Sequence, residues 1–287
     1  MTCGSWAGGF IGRISYTLTL EELPLSDCGR FWPSGISAYE KFKLLSVTGG
    51  IPKYLEEINP KLSAEDNIKR LCFTHGGFLV EEFEQIFSGI FLRDSEFYRK
   101  IAELLCSGRK TMREIESVFS GDQSGRISEY LWELGLAGFI ARDYTWNLKS
   151  GGDAKISQFR LKDNYVRFYL KYIKANLGKI ARHSYALKSL TSLPEWNSIM
   201  GLQFENLVLN SRYQLHQHMQ VRPEEIVNEN PFYQRQTARQ AGCQIDSLSR
   251  PKGMSCRPAL IHVNGVSQDV VDSDYFAAII DMSDLLS

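Results

Sequence analysis

Apolar residues recur at helical spacing through the first third of the chain. Between residues 37 and 46 they share one face, and Ser37 stands where a helix N-cap is expected. Gly49 and Gly50 interrupt that helix, and Pro52 can begin the next one because a first-turn N–H has no helical partner. The predicted elements here are a strand of alternating polarity over residues 14–20 and helices over residues 37–46, from Pro52, from Ser63 and over residues 78–92.

Between Asp94 and residue 161 the pattern becomes three short helices followed by two strands. The second helix begins with a capping box, in which the hydroxyl of Thr111 and the carboxylate of Glu114 each bind a free backbone N–H. A glycine-rich loop at residues 150–153 joins the strands. Three helices followed by a two-stranded wing predict a winged helix-turn-helix. The third helix would turn Ile127, Tyr130, Leu131 and Leu134 inward and Arg126, Ser128, Glu129, Trp132 and Glu133 outward.

The remainder of the chain gives weaker patterns. Residues 164–182 predict a helix rich in Tyr and Phe, and residues 184–194 predict a linker. Residues 277–281 are a short apolar run that ends in Asp281. No second acid follows directly, so an amphipathic helix is favoured over a strand that ends in a Mg²⁺ ligand.

The composition is that of an ordinary globular protein. The chain has 287 residues, enough for two or three compact units, with 43% hydrophobic and 23% charged residues. No apolar run approaches the ~20 residues of a membrane helix, and no charged leader precedes an apolar block as in a secretory signal. Six scattered cysteines without a Cys-x-x-Cys pair predict reduced thiols in a cytoplasmic protein, with no disulfide framework or zinc site.

The formal net charge is zero, but the charge is unevenly distributed. Residues 1–92 hold 8 basic and 11 acidic residues, residues 93–192 hold 18 and 11, and residues 193–287 hold 7 and 11. The middle block therefore carries the whole positive excess. A basic block suits contact with nucleic acid. It equally suits a basic surface that packs on acidic neighbouring blocks, and the sequence leaves both open.

Two stretches near the start of the chain resemble a known family. They are Gly12-Arg13-Ile14-Ser15 through Glu21-Glu22-Leu23-Pro24-Leu25, and Thr48-Gly49-Gly50-Ile51-Pro52-Lys53-Tyr54-Leu55. Together they are similar to the junction between the nucleotide-binding core and the helical lid of the archaeal-type AAA+ ATPases. The resemblance covers nearly the whole chain and implies a lid, a winged helix and a domain like the PD-(D/E)xK nucleases. Two gaps interrupt it, one between Cys3 and Phe10 and the other between Asp246 and Pro258.

The ATP-binding loop of that family has no counterpart in this sequence. Such a loop needs Gly, four residues and Gly-Lys-Ser/Thr, so that backbone N–H groups and the lysine converge on the phosphates. The single Gly-Lys pair, Gly178-Lys179, is followed by Ile180. The resemblance therefore implies ATP and Mg²⁺ as cofactors of intact family members and no cofactor for this chain. Arg13, at the end of the core remnant, is a weak candidate for a phosphate contact.

The nuclease-like domain is predicted to be inactive. By resemblance Glu205 and Asp246 correspond to metal-binding acids, but no Glu follows Glu229 and no Asp from Asp246 onward begins an Asp-x-Lys. The site thus lacks the Glu-x-Lys half that supplies a metal ligand and the lysine. Glu205 and Asp246 are therefore interpreted as vestigial. His216 and His218, with no third ligand nearby, are interpreted as surface residues and not as a metal site.

The predicted winged helix is the one plausible working part. Glu129 and Glu133 on the outward face of its third helix would repel phosphate, which favours sequence-independent backbone contact over base reading. A winged helix used for packing or oligomerisation has equal weight. The candidate nucleic-acid residues are Arg109, Lys110, Arg113, Arg126, Arg142, Lys149 and Lys155, and Lys174, Lys179, Arg182 and Lys188 extend the basic stretch.

The predicted fold class is α+β and mostly α: a helical lid, a winged helix-turn-helix and an incomplete α/β nuclease-like domain. The predicted divisions are a core remnant over residues 1–25, the lid over 26–92, the winged helix and its following helix over 93–192, and the truncated nuclease-like domain over 193–287. The predicted function is that of a truncated AAA+ family member without ATPase or nuclease activity of its own, associating with an intact relative or with itself and not with a membrane. The alternative is a non-enzymatic, sequence-independent DNA-binding protein.

Overall fold

The structure, a computed structural model, describes residues 21–91, 94–119, 124–147, 152–186, 189–226, 229 and 257–286, and the backbone alone of residues 124, 146–147 and 152–155. It is α+β and mostly α-helical, as predicted. Arg13, Lys149, Lys188, Asp246 and the strand predicted over residues 14–20 lie outside the described residues. The α-helices are α1 (Leu25–Gly29), α2 (Ala38–Thr48), α3 (Pro52–Glu56), α4 (Ala64–Cys72), α5 (Phe78–Ile90), α6 (Ser95–Cys106), α7 (Met112–Glu116), α8 (Ile127–Leu136), α9 (Asn164–Phe168), α10 (Leu177–Ala181), α11 (Trp196–Asn210), α12 (Arg212–His218), α13 (Gln268–Asp272) and α14 (Met282–Leu285). The strands are β1 (Lys110–Thr111), β2 (Ile140–Asn147), β3 (Gly152–Leu161), β4 (Ala259–His262) and β5 (Ala278–Asp281).

The helices of the first third begin where the sequence predicts. The hydroxyls of Ser37 and Ser63 cap α2 and α4 by accepting a first-turn backbone N–H at 3.2 and 3.1 Å. Pro52 is the first residue of α3. Gly49 has a φ of +58°, a left-handed conformation that is strained for residues with a β-carbon. This conformation lets the chain turn between α2 and α3.

Residues 95–161 form three helices and a three-stranded antiparallel sheet. The predicted capping box is present: the hydroxyl of Thr111 accepts the N–H of Glu114 at 3.3 Å, and the carboxylate of Glu114 accepts the N–H of Thr111 at 2.6 Å. β2 and β3 form the predicted hairpin, paired from Ile140 opposite Leu161. The two-residue strand β1, which the sequence did not predict, pairs on the other side of β3 and gives the order β1-β3-β2.

The helix predicted over residues 164–182 is divided into four short pieces. α9 continues into a π-helical turn over Tyr169–Ile173, a 3-10 turn over Lys174–Asn176 and then α10. The side-chain amide of Asn176 donates to the carbonyl oxygen of Tyr172 at 2.8 Å. A regular α-helix would give that oxygen to the backbone N–H of Asn176, so local competition accounts for the break at this point.

The closing part of the chain differs from its prediction. Ala278–Asp281, expected to lie in an amphipathic helix, is the strand β5, which pairs in parallel with β4 from Ala259 opposite Ala278. A short apolar run is compatible with a helix or a buried strand, and here the partner strand decides. α13 lies in the crossover between the two strands, and the four-residue α14 follows β5.

One hydrophobic core runs through the described residues, from α1 to α14. It crosses the predicted divisions near residues 92 and 192. Phe83 of α5 stacks on Tyr169 with ring centroids 4.1 Å apart, and Phe42 of α2 meets Phe204 of α11 edge-to-face at 5.5 Å. Leu190, in the predicted linker, is also buried. The first two-thirds of the chain and α11 therefore share their packing.

α11, with 15 residues, is the longest helix in the part of the chain that the structure describes. None of the helices in that part is both long and apolar enough to cross a membrane. α11 buries two polar side chains, Gln203 and Asn206, and both have partners on other elements.

Candidate interaction surface

A buried ion cluster fixes the strands β2 and β3 against α11. The carboxylate of Asp143 accepts from Arg160 at 2.8 Å and from Arg109 at 3.0 Å, and Arg160 also donates to the amide oxygen of Asn206 at 2.6 Å. Burial lowers the pKa of Arg160, and the charge of Asp143 opposes that shift. Glu205 closes the cluster by pairing with Arg109.

This cluster contains two residues for which the sequence suggested other roles. Arg109, a predicted nucleic-acid contact, lies in the cluster with a side chain only 16% exposed. Glu205, a predicted vestigial acid of a metal site, is bonded to that arginine instead. His216 and His218 lie on the short helix α12. Within the described residues, no group of three or more His, Cys, Asp and Glu side chains could hold a metal ion.

A second buried polar network links α2, α9 and α11. The side-chain amide of Gln203 donates to the backbone oxygens of Ser46 at 2.8 Å and Asn164 at 2.7 Å. Arg167 donates to the amide oxygen of Gln203 at 2.7 Å and to the carbonyl oxygen of Leu161 at 2.6 Å. Burial lowers the pKa of Arg167 to about 10. The network ties α11 to α2, α9 and the end of β3, and within it the buried Nε of Arg167 and the hydroxyl of Ser46 have no partner among the described residues.

α8 has a buried face and an exposed face. The predicted inward face is confirmed by buried side chains at Ile127, Tyr130, Leu131 and Leu134. On the outward face, Trp132 and Leu136 are 64% and 59% exposed. The sequence placed Trp132 outward but did not single out Leu136. Its position four residues after Trp132, on the same side of the helix, is the signal that could have found it.

The charged residues of the outward face are held by contacts within the chain. Arg126 pairs with Asp94 and with Glu129, at 3.1 Å in each case. The hydroxyl of Tyr98 donates to the carboxylate of Glu133. The outward face therefore presents the carboxylates of Glu129 and Glu133 beside its apolar residues. Arg126, which precedes α8, is held in ion pairs.

Arg142 borders a groove between α8 and the strands β2 and β3. Its guanidinium donates to the hydroxyl of Ser157 at 3.0 Å and lies over the rings of Tyr144 and Phe159, 4.9 and 5.3 Å from their centroids. The groove has a volume of about 510 Å³, and Arg142 is the one cation among its described lining residues. Its apolar lining includes Met112, Leu131, Trp132, Leu136, Ile140 and Phe159.

The remaining predicted nucleic-acid residues differ in their placement. Lys110 is half-buried in β1, whereas Arg113 is exposed on α7. Lys149 lies outside the described residues, and only the backbone of Lys155 is described. In the extension of the basic stretch, Lys174 pairs with a glutamate of α6.

Residues 21–25, the described part of the first stretch that carries the family resemblance, lie against the second stretch. The carboxylate of Glu22 accepts the backbone N–H of Gly50 at 3.1 Å, and the backbone N–H of Leu23 donates to the carbonyl oxygen of Gly50 at 2.8 Å. Burial raises the pKa of Glu22, and the bond from Gly50 opposes that shift. The carboxylate of Asp163 caps α9 by accepting the N–H of Val166 at 2.8 Å. Burial, and after it the charge of Glu22, raise the pKa of Asp163 to about 7.

Asp163→Asn is expected to stabilise the chain by more at pH 8 than at pH 5. Because the pKa of Asp163 is raised from 3.8 to about 7, the stability that this carboxyl contributes is full below pH 3.8 and is lost as the pH rises through about 7. Asparagine keeps the helix cap and cannot ionise. Thermal unfolding of both proteins at the two pH values is the measurement. An equal effect at both would contradict the raised pKa.

The chain is similar in sequence to an archaeal protein. It is 28% identical over 210 residues to a protein of Methanocaldococcus jannaschii described as "Uncharacterized protein MJECL04". The match covers 71% of this chain and 44% of that protein, so the chain spans less than half the length of the relative. No family model and no solved structure matches the chain.

Proposed function

We propose that residues 95–161 are a winged helix-turn-helix and that this winged helix binds protein. The order of the elements supports the fold: α6, β1, α7 and α8 are followed by the hairpin of β2 and β3, and β1 completes the sheet. We further propose that the chain corresponds to the lid and winged-helix part of an archaeal-type AAA+ protein. This proposal is supported by the position of the helices α1 to α5, which stand where the resemblance expects the lid, and by the length of the archaeal relative, which is great enough to include a nucleotide-binding core as well.

The proposed role is non-enzymatic. The sequence contains no Gly-x-x-x-x-Gly-Lys-Ser/Thr segment to hold a triphosphate. Glu205, the described acid of the expected nuclease site, is paired with Arg109, and no group of three or more acids, histidines and cysteines in the described residues could hold a metal ion with it. The proposal therefore includes neither ATP hydrolysis nor nucleic-acid cleavage by this chain on its own.

The exposed face of α8 is the observation that carries the proposal. A helix that grips DNA presents cations to the phosphates. α8 presents instead Trp132 and Leu136, together with the carboxylates of Glu129 and Glu133. Large exposed apolar side chains beside a groove are typical of protein interfaces. Of the predicted cations, Arg109 and Arg126 are paired with carboxylates, whereas Arg142 contacts a hydroxyl and two aromatic rings and keeps its charge.

Sequence-independent DNA binding is the second candidate function. Residues 93–192 carry the positive excess of the chain, and Arg113 is exposed on α7, the helix that precedes α8. Contacts of this kind would act on the phosphate backbone, and their affinity would fall steeply as the salt concentration rises.

The chain is expected to leave duplex DNA unsaturated at about 10 µM protein in low salt. A non-specific DNA-binding protein would saturate the duplex under these conditions, because such proteins reach a Kd of about 10⁻⁴–10⁻⁶ M even at physiological salt. The physical reason is that the outward face of α8 offers carboxylates where phosphate would lie. Fluorescence anisotropy with two unrelated labelled duplexes across a salt series is the measurement.

The double variant Lys110→Glu, Arg113→Glu is the control for this titration. If both duplexes bind the wild-type chain tightly at low salt and the double variant abolishes that binding, DNA replaces protein as the partner of the winged helix. If neither the wild type nor the double variant saturates, the proposed function stands.

A further inference from the structure

The groove and the exposed face of α8 form one surface with different charges on its two flanks. Successive residues of an α-helix are rotated by about 100°. Relative to Trp132, Glu129 is therefore rotated by about 60° to one side, whereas Ser128 and Gly135 are rotated by about 40° and 60° to the other side. Ser128 and Gly135 line the groove, as does Arg142. The surface thus has a flank on which the carboxylates of Asp94, Glu129 and Glu133 outnumber the one cation, Arg126, an apolar middle and a groove flank with the cation Arg142.

Such a surface is complementary to itself. A two-fold axis parallel to α8 turns the groove flank of one chain toward the acidic flank of the other. The flank with Arg142 on each chain then faces the flank with Glu129 on the other, and the two Trp132 side chains lie at the same height along the axis. A two-fold axis that crosses α8 would instead bring like charges together, which costs free energy and selects against that arrangement.

We propose that a second copy of this chain docks on the α8 surface, with the two-fold axis along α8. The inference rests on the proposed function, because it names the protein that the winged helix binds. Charge complementarity favours a second copy over an unrelated partner, since the acid and the cation that must meet are both present on one chain. Trp132, 64% exposed on a single chain, supplies the central apolar contact.

The contact is expected to be reversible. Stable complexes bury about 800 Å² on each partner. α8 has ten residues and is therefore only about 15 Å long, so its surface and the adjoining groove offer a small interface. A dimer held by this surface should therefore dissociate on dilution.

Sedimentation equilibrium of the full chain, from low micromolar to several hundred micromolar protein at physiological salt, tests the inference. We expect a monomer–dimer equilibrium. Each of the substitutions Trp132→Gln, Arg142→Glu and Glu129→Arg should raise the dissociation constant of the dimer by about ten-fold or more, as for residues at the centre of an interface. The double variant Arg142→Glu, Glu129→Arg should restore dimerisation, because the two charges exchange places across the axis. Tyr213→Gln, which removes another exposed aromatic side chain (71% exposed, on α12), is the matched control and should change nothing.

A chain that stays monomeric at every concentration would overturn the inference, and so would a dimer that Trp132→Gln leaves unchanged. Trp132 is mostly exposed, so its replacement should leave the melting temperature near that of the wild type and the result interpretable. Either failure is distinguishable from failure of the proposed function, because only the DNA titration addresses the choice between protein and DNA. If the chain is monomeric and does not bind DNA, the proposal that the winged helix binds protein stands and the proposal of self-association is excluded.

Discussion

Asp143→Ala is expected to lower the free energy of unfolding by about 3–5 kcal/mol, the cost of leaving a buried charge without its partner. The side chains of Asp143 and Arg160 are 8% and 5% exposed, so water has little access to replace the lost contact. Arg109 loses the same carboxylate. Urea unfolding followed by circular dichroism measures the change, provided that the slope with denaturant stays constant.

Glu205→Ala is the matched control for this substitution. Glu205 pairs with Arg109, in the same cluster, but its side chain is 44% exposed. Exposed ion pairs contribute about 0–1 kcal/mol, so the expected loss is within that range. Equal losses for Asp143→Ala and Glu205→Ala would contradict the claim that burial makes the cluster important.

Gly50→Ala is expected to lower the free energy of unfolding by about 3 kcal/mol, because a β-carbon at this position would overlap backbone atoms. The added carbon would lie 2.4 Å from the carbonyl oxygen of Leu23 and 3.0 Å from its nitrogen. Leu23 is not free to move aside, since its N–H is bonded to the carbonyl oxygen of Gly50 at 2.8 Å. Urea unfolding is again the measurement.

Gly89→Ala separates this clash from the general effect of replacing a glycine. Gly89 lies in α5, where no described atom outside the neighbouring backbone of that helix is within 4 Å of an added β-carbon. The loss of backbone freedom in the unfolded chain should then stabilise the protein by about 0.4–1 kcal/mol. Opposite signs are therefore expected for the two substitutions, and a shared sign would count against the clash at Gly50.

Local signals in the sequence predicted the helices well. The caps at Ser37, Ser63 and Thr111 and the proline at the start of α3 are all present, because each depends on atoms within a few residues. The inward face of α8 followed from spacing alone. These features needed no knowledge of distant parts of the chain.

Features that depend on distant residues could not be predicted in the same way. β5 was wrongly predicted as a helix, because a four-residue apolar strand is recognised only through β4, its partner. Arg109 was grouped with the surface cations, whereas Asp143 and Glu205 hold it in a cluster. The spacing of charges along the sequence gives no sign of that pairing.

The candidate surface was predictable only in part. The sequence indicated that Trp132, Glu129 and Glu133 face outward on the third helix. The groove beside them exists because β2 and β3 bring Arg142 and Phe159 alongside α8. An apolar surface next to a helix therefore became visible only when helix and strands were placed together.

Hydrogen exchange across α8, followed by mass spectrometry, tests most directly whether the exposed face of this helix binds another protein chain, here a second copy, or DNA. The full chain would be measured at low and high protein concentration, and at low concentration with excess duplex DNA in low salt. We predict that exchange in residues 127–142 slows as the protein concentration rises and is unchanged by the duplex. Slower exchange in α7, α8, β2 and β3 on addition of DNA, with no effect of protein concentration, would contradict protein binding by α8.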